Sequence, residues 1–313
     1  MLRPLLSEYK NALINYIRLW PDYLSLKNGS SPGHKKMLIY MADGKTLHGG
    51  ITDRLKGMLC AQRFAALSGI DFRINHRFPF RLTDYLVPGR IRWAVNDEEL
   101  IYNLKISRPV YFIDASAKRL NSFNARSLSV SQIHLYCNTE PFLLNGMNDL
   151  LFADVFDDLF EFNPSFLQRT GMASLAGKSF KKGLQFRFRN ALGDFTDINS
   201  AEHPLKDKLI SESLGKVRMA HEETGEKIMV FSDSRTFIRE ALSRYDFVIA
   251  EDAEITHPDQ DKNGTGNYDS YFSDLIKMAL CDQVEQIVLP GMYDSYFPKF
   301  VKLVRPVIRQ KLI

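Results

Sequence analysis

Short apolar runs alternate with longer stretches of helical spacing, and this happens twice along the chain. Leu5, Tyr9, Leu13 and Ile17 recur every four residues, which predicts an amphipathic helix over roughly the first 25 residues. Residues 27–36, rich in Gly, Ser and Pro, read as a loop. Residues 37–41 are wholly apolar and of buried-strand type, and the glycine-containing stretch 42–50 follows. Thr52 or Asp53 can cap a helix to Leu67 with Leu55, Leu59, Phe64 and Leu67 as its inner face. Gly69 ends it and a second strand covers 70–74, so strand, glycine loop, helix and strand make one βαβ unit.

Further strands are expected at 110–113 and 132–136, and residues 163–182 read as the crossing between two halves. The second half repeats the pattern with strands at 183–189, 227–231, 247–250 and 286–289. Its helices are expected at 205–224, 234–244, 270–280 and 295–311, the last interrupted by Pro306. Strands alternating with helices of this length imply an α/β protein with parallel sheets, divided into 1–165 and 166–313. The length of 313 residues agrees with two domains.

The net charge of +4 is too small to indicate a nucleic-acid partner, and the basic residues are not interleaved into an aromatic stacking platform. Its distribution says more. Arg73, Arg77, Arg81, Arg90 and Arg92 face a single acid, Asp84, within 72–92. Residues 299–313 hold five basic residues and no acid. Each run reads either as a solvated face or as an anion attractor: a phosphate-bearing ligand at the first, an anionic membrane surface at the second. The last predicted helix pairs Phe297, Phe300, Val301, Val304 and Ile308 with Lys299, Lys302, Arg305 and Arg309, so it either rests on a membrane or packs back over its sheet. Cys60, Cys137 and Cys281, widely spaced in apolar stretches, read as buried hydrophobes in a reducing compartment. With no secretory leader and no membrane span expected, the location expected is cytoplasmic, peripheral at the inner membrane if that helix makes contact, and the sequons at Asn28 and Asn263 read as chance matches.

In open parallel sheets ligands gather at the carboxyl ends of strands. After the first strand stands His48-Gly-Gly-Ile-Thr-Asp-Arg-Leu-Lys-Gly57. Gly49 and Gly50 let backbone approach a ligand, and the helix behind them offers free N–H groups; the plainer reading is a turn capped by Asp53 beside an exposed loop histidine. The segment is neither a Walker loop nor GxGxxG. At the start of the second half, Gln185-Phe-Arg-Phe-Arg-Asn-Ala-Leu-Gly-Asp-Phe195 places Gln185, Arg187 and Arg189 on one strand face by alternation. Arginines there suit an anion such as a diphosphate, which guanidinium grips bidentately, or an ion pair with Asp194. Asp233, in Phe231-Ser-Asp-Ser, presents either an acceptor for a guanine edge or a helix cap. His257 and Ser295 follow later strands.

Taken in order, these blocks resemble the fucosyltransferase-like glycosyltransferases of the two-lobed GT-B type. GGxxDRLxG resembles the family's opening segment, and FRFRNALGDF resembles its donor motif, usually HxRRxD or HxRxGD. Phe231-Ser-Asp-Ser resembles the strand-ending Ser/Thr-Asp motif, and Phe272 to Phe300, with Asp274, Met278, Ser295 and Phe297, the closing segment. The blocks are short and spread over nearly the whole chain. Gln185 stands where the family has histidine, and Arg189 lies one residue beyond its second arginine.

The resemblance implies two Rossmann-like lobes facing a cleft, acceptor-side first. It implies inverting transfer of fucose from GDP-fucose to a glycan hydroxyl in surface-polysaccharide or lipid-linked glycan synthesis. Arg187 would bind the β-phosphate, Asp233 the guanine and Ser295 phosphate, with His257 a further candidate for the base. No metal and no cofactor beyond the substrate nucleotide are expected. The acceptor's proton would go to His48, Asp53 or Asp194. Two other readings stay open: a GT-B enzyme with another nucleotide-sugar donor, and a non-catalytic nucleotide- or carbohydrate-binding protein. A nicotinamide-dependent oxidoreductase lacks its GxGxxG and the acid at Asn75-His76.

Overall fold

The computed structural model divides into two compact units, Met1–Glu161 and Phe162–Ile313. It describes residues 2–24, 35–194 and 206–312, with first-helix side chains from Leu13 onward. Residues 27–34 of the loop expected at 27–36, Asn28 among them, and Phe195 and Leu205 lie outside the described residues.

In chain order the first unit contains α1 (Leu2–Leu24), β1 (Met37–Ala42), α2 (Ile51–Ser68), β2 (Asp71–His76), β3 (Leu86–Pro88), β4 (Ser107–Phe112), α3 (Ala117–Asn121), β5 (Gln132–Cys137) and α4 (Asp149–Leu159). Four strands form a parallel sheet of order β2-β1-β5-β4. Central β1 is buried at all six positions, which is why its sequence is continuously apolar rather than alternating. Helix α2 lies so close to β5 that a Cβ at Gly57 would come within 2.0 Å of the Cys137 carbonyl oxygen. Gly69 ends α2 in the left-handed conformation, as expected. Helix α4 is not among the expected elements, although Phe152, Val155, Phe156 and Leu159 recur at helical spacing and are buried.

The short β6 (Phe160–Phe162) carries the junction. The second unit then holds α5 (Pro164–Arg169), β7 (Phe180–Phe186), α6 (Lys206–Thr224), β8 (Ile228–Ser232), α7 (Arg235–Arg244), β9 (Val248–Ile249), α8 (Asp269–Leu280), β10 (Cys281–Ile287) and α9 (Phe297–Lys311). Its parallel sheet has the order β10-β7-β8-β9. Leu184, Phe186, Val217, Val230 and Phe237 belong to the core beneath it.

Three sequence expectations change here. Strand β7 stops at Phe186, so Arg187 and Arg189 are not strand residues and do not share a face with Gln185 by alternation. Strand β10 begins at Cys281, directly after α8, five residues before the expected start. Helix α9 runs through Pro306 without breaking. A proline removes one backbone donor, but Val304, Val307 and Ile308 on either side are buried, and that packing holds the helix. Phe300, Val301, Val304 and Ile308 are fully buried, so the apolar face offered for a membrane is spent inside the unit. Arg305 donates to the Asp282 carbonyl at 3.0 Å and Arg309 to that of Ala279 at 2.8 Å, so two of the basic residues also point inward. Among the described residues no helix is long and apolar enough to cross a membrane. All three cysteines are free thiols and buried.

Candidate functional site

In the second unit, chemistry gathers where β7 ends. Phe186 and Phe188 both enter the core, their rings stacked 6.2 Å apart and each against Phe237. Arg187 between them is turned outward, 21% exposed. Arg189 then adopts a positive φ of 55°, a strained conformation for an L-residue with a long side chain. The strain is held by Asp233, just beyond β8. Its carboxylate accepts the backbone N–H groups of Phe188 and Arg189, each at 2.8 Å, and lies 3.1 Å from Arg187 Nη1. Burial raises the Asp233 carboxyl above its ordinary value; the Arg187 guanidinium and the two N–H donors oppose that rise.

This arrangement reassigns several expected roles. Asp233 is only 2% exposed, with both oxygens engaged on its own chain, so it has no edge left for a guanine. The expected ion pair of Arg187 with Asp194 is made with Asp233 instead. Asp194 accepts from the Ser234 hydroxyl at 2.9 Å and the Thr236 N–H at 2.6 Å, while Ser234 accepts from Phe237 N–H. Asp194 therefore helps to start α7, satisfying N–H groups that a helix leaves unpaired. Gln185 is buried within β7, and its Oε1 has no hydrogen-bond partner.

Tyr293, which no motif marks, completes the group. Its ring lies under the Arg189 guanidinium at 3.8 Å and its N–H donates to the Arg187 carbonyl at 2.9 Å. Ser295 accepts from Phe297 N–H at 3.2 Å, a local bond at the start of α9. The His257 Nδ1 accepts from Asp259 N–H at 3.2 Å, a turn-holding bond in the loop after β9.

In the first unit, the glycine loop ends β1 and opens α2. Gly49 has φ +81° and Gly50 is extended; Asp53 Oδ2 accepts Gly50 N–H at 3.2 Å and Oδ1 pairs with Lys56 at 2.9 Å. Asp53 is thus a capping residue that keeps 39% of its side chain exposed. His48 is not the exposed loop residue expected. It is fully buried beside Tyr40 and Tyr136, and burial, then Arg54, lower its pKa to about 3. Arg54 is itself buried and donates to the carbonyls of Gly49 and Phe78.

Sequence reasoning missed Asp43, the first residue after β1. Its Oδ2 accepts from Tyr136 Oη at 3.2 Å and Tyr102 Oη at 3.4 Å, with Lys45 at 3.9 Å. Burial raises its carboxyl above the ordinary value, against Lys45. The rule that ligand residues follow strands singles out this position too, so a signal existed. The two tyrosines come from distant segments and gave none. Among the described residues no group of three or more His, Cys, Asp or Glu could hold a metal ion.

Two parallel-sheet α/β units, each with polar residues at the carboxyl ends of strands, define a protein of the open parallel-sheet α/β class. No family model and no curated protein matches the chain. Among solved structures, the fucosyltransferase NodZ from Bradyrhizobium is similar at 15% identity, with TM-score 0.51 over 87% of this chain and 94% of that one. A NodZ α-1,6-fucosyltransferase soaked with GDP-fucose matches at 13% identity and TM-score 0.51, over 87% and 93%. An Arabidopsis thaliana FUT1 mutant in complex with GDP matches at 11% identity and TM-score 0.51, over 96% and 77%. The chain has the fold of these fucosyltransferases.

Proposed function

We propose that this chain is a glycosyltransferase, inverting and metal-independent, that moves fucose from GDP-fucose to a glycan hydroxyl. Sharing a fold with enzymes crystallised with GDP or GDP-fucose supports the class. The observation that carries the reading to this chain's own chemistry is Arg187, a guanidinium held by Asp233 at the carboxyl end of a parallel strand and still reached by solvent. Transfer passes through an oxocarbenium-like state while negative charge builds on the departing diphosphate. A cation fixed before the reaction stabilises that charge without reorganising, and a preorganised group of this kind contributes about 10²–10³ in rate. Asp233 is then a positioning residue. Acidic and neutral candidates for the acceptor's proton differ in access: Asp53 is solvent-reached, whereas His48 is enclosed and Asp194 is spent on α7.

The loss of Asp233 as a guanine contact favours keeping a second donor in view, another nucleotide sugar on the same machinery. Calorimetric titration with GDP, GDP-fucose, GDP-mannose and UDP decides between them. The expected result is tight binding of GDP and GDP-fucose, weak binding of UDP, and loss of the diphosphate contribution in Arg187→Ala. Equal binding of UDP, or none of any nucleotide, would overturn the proposal.

A further inference from the structure

The apolar face of α9 is spent inside its unit, and in the arginine run 72–92 Arg77 pairs with Asp97 and Arg90 with Asp157 and Asp158. The apolar face that the fold leaves open belongs to α1. This helix docks on the first unit through Leu19 and Tyr23, both buried, and through Tyr16, whose hydroxyl donates to the Pro109 carbonyl at 2.8 Å. Leu13, Ile17, Trp20 and Leu24 follow one another at helical spacing and form a single stripe along the helix. They are 61%, 63%, 44% and 56% exposed, and Ile14 beside them is 40% exposed. Isolated exposed apolar residues are ordinary, whereas a row of them on one helix face marks a surface that meets a partner.

The charge around the stripe narrows the choice of partner. Arg18 and Arg108 are exposed. Arg119 and Arg108 stand near Tyr16: burial raises its phenol above the ordinary value, and Arg119, then Arg108, oppose that rise. Asp22, the one acid between residues 13 and 24, is paired with Lys45 at 2.9 Å. Residues 25–36 add Lys27, Lys35 and Lys36 and no acid. A second copy of this chain on the same stripe would set these cations against one another. The chain's own segment 25–34 has a single large apolar residue, Leu26, too little to cover the row. An apolar helix face with a cationic margin and a tryptophan fits the boundary between lipid headgroups and acyl chains, where an indole keeps its ring in the apolar layer and its N–H in the wet one.

We propose that α1 docks this protein on the surface of an anionic lipid bilayer, with Leu13, Ile17, Trp20 and Leu24 entering the acyl boundary and Arg18 and Arg108 meeting the headgroups. Contact of this kind needs no membrane-crossing helix, and it does not depend on the transfer reading above.

Trp20 reports the contact directly, because the other tryptophan, Trp93, is buried and donates to the Leu159 carbonyl. The full chain is mixed with vesicles of phosphatidylcholine, alone or with added phosphatidylglycerol, while indole emission and flotation are followed. A blue shift and flotation are expected with the anionic vesicles, and binding at least about tenfold weaker with neutral vesicles or in raised salt. Leu13→Ser with Ile17→Ser, and separately Arg18→Gln with Arg108→Gln, all at exposed positions, should each weaken anionic binding about tenfold without changing the circular dichroism. No flotation on anionic vesicles, equal flotation on neutral ones, or full binding by either double variant would overturn the proposal. So would a concentration-dependent dimer in analytical ultracentrifugation that Leu13→Ser with Ile17→Ser dissolves, since a second copy would then be what covers the stripe.

Discussion

Arg187 Nη1 lies 3.1 Å from Asp233 Oδ2, and the same carboxylate receives the backbone N–H groups of Phe188 and Arg189. One buried acid thus fixes both the direction of the arginine and the strained turn that follows it.

Arg187→Ala should cost stability as well as rate, because the ion pair with Asp233 is lost. Removing the guanidinium leaves a buried carboxylate with backbone donors only, at a cost of about 1–3 kcal/mol, reduced because Arg187 is partly solvated. Turnover should fall about 10²–10³-fold. Adding Asp233→Asn should recover neither stability nor rate, because the amide NH2 then faces one of the two backbone N–H donors that the carboxylate accepted. Denaturant midpoints and transfer assays on the two variants and the parent protein separate the two effects, and a double variant that regains activity would refute the assigned role.

Gly57 and Gly49 should respond unequally to alanine. At Gly57 the new Cβ meets the Cys137 carbonyl at 2.0 Å, a backbone atom that cannot move aside, so a loss above about 3 kcal/mol is expected. At Gly49 the contact is the Asp53 carboxylate and φ is +81°, for about 1–2 kcal/mol. Urea unfolding measures both; similar losses would contradict the packing argument.

Stability should fall as pH drops from 7 toward 5. Burial lowers the folded-state pKa of both His48 and His134 to about 3, whereas an unfolded histidine titrates near 6.5. Between those values the unfolded chain binds more protons, so stability is full above about 6.5 and is lost on acidification, by about 1.4 kcal/mol per unit for each histidine. Asp274, raised by burial to about 7, acts in the opposite sense. The decisive quantity is therefore the change in slope when His48→Gln removes one proton from the balance; an unchanged slope would mean His48 does not stay neutral in the fold.

Asp194→Ala should cost about 1–2 kcal/mol, because it strips the Ser234 hydroxyl and Thr236 N–H at the start of α7 of their acceptor. Hydrogen exchange at the first turn of α7 is the direct measure, and unaltered protection there would disprove the capping role.

Much of this architecture was legible in the sequence because strand and helix periodicity are local. The glycine loop with its Asp53 cap, the Ser234 cap and the left-handed Gly69 all follow from single-residue chemistry at known offsets. Helix α4 was legible too, through Phe152, Val155, Phe156 and Leu159, as was Asp43 through its place after β1.

By itself the sequence determined that the chain alternates strands and helices in two series, and that its chemistry lies after the strands. Only tertiary structure decided which acid meets which base: Asp233 rather than Asp194 for Arg187, Tyr293 beneath Arg189, and a closed interior rather than solvent for His48. The physical reason is range. Capping and periodicity act within a few residues, whereas an ion pair, a stacked ring or a desolvated imidazole depends on which distant strands the sheet places side by side.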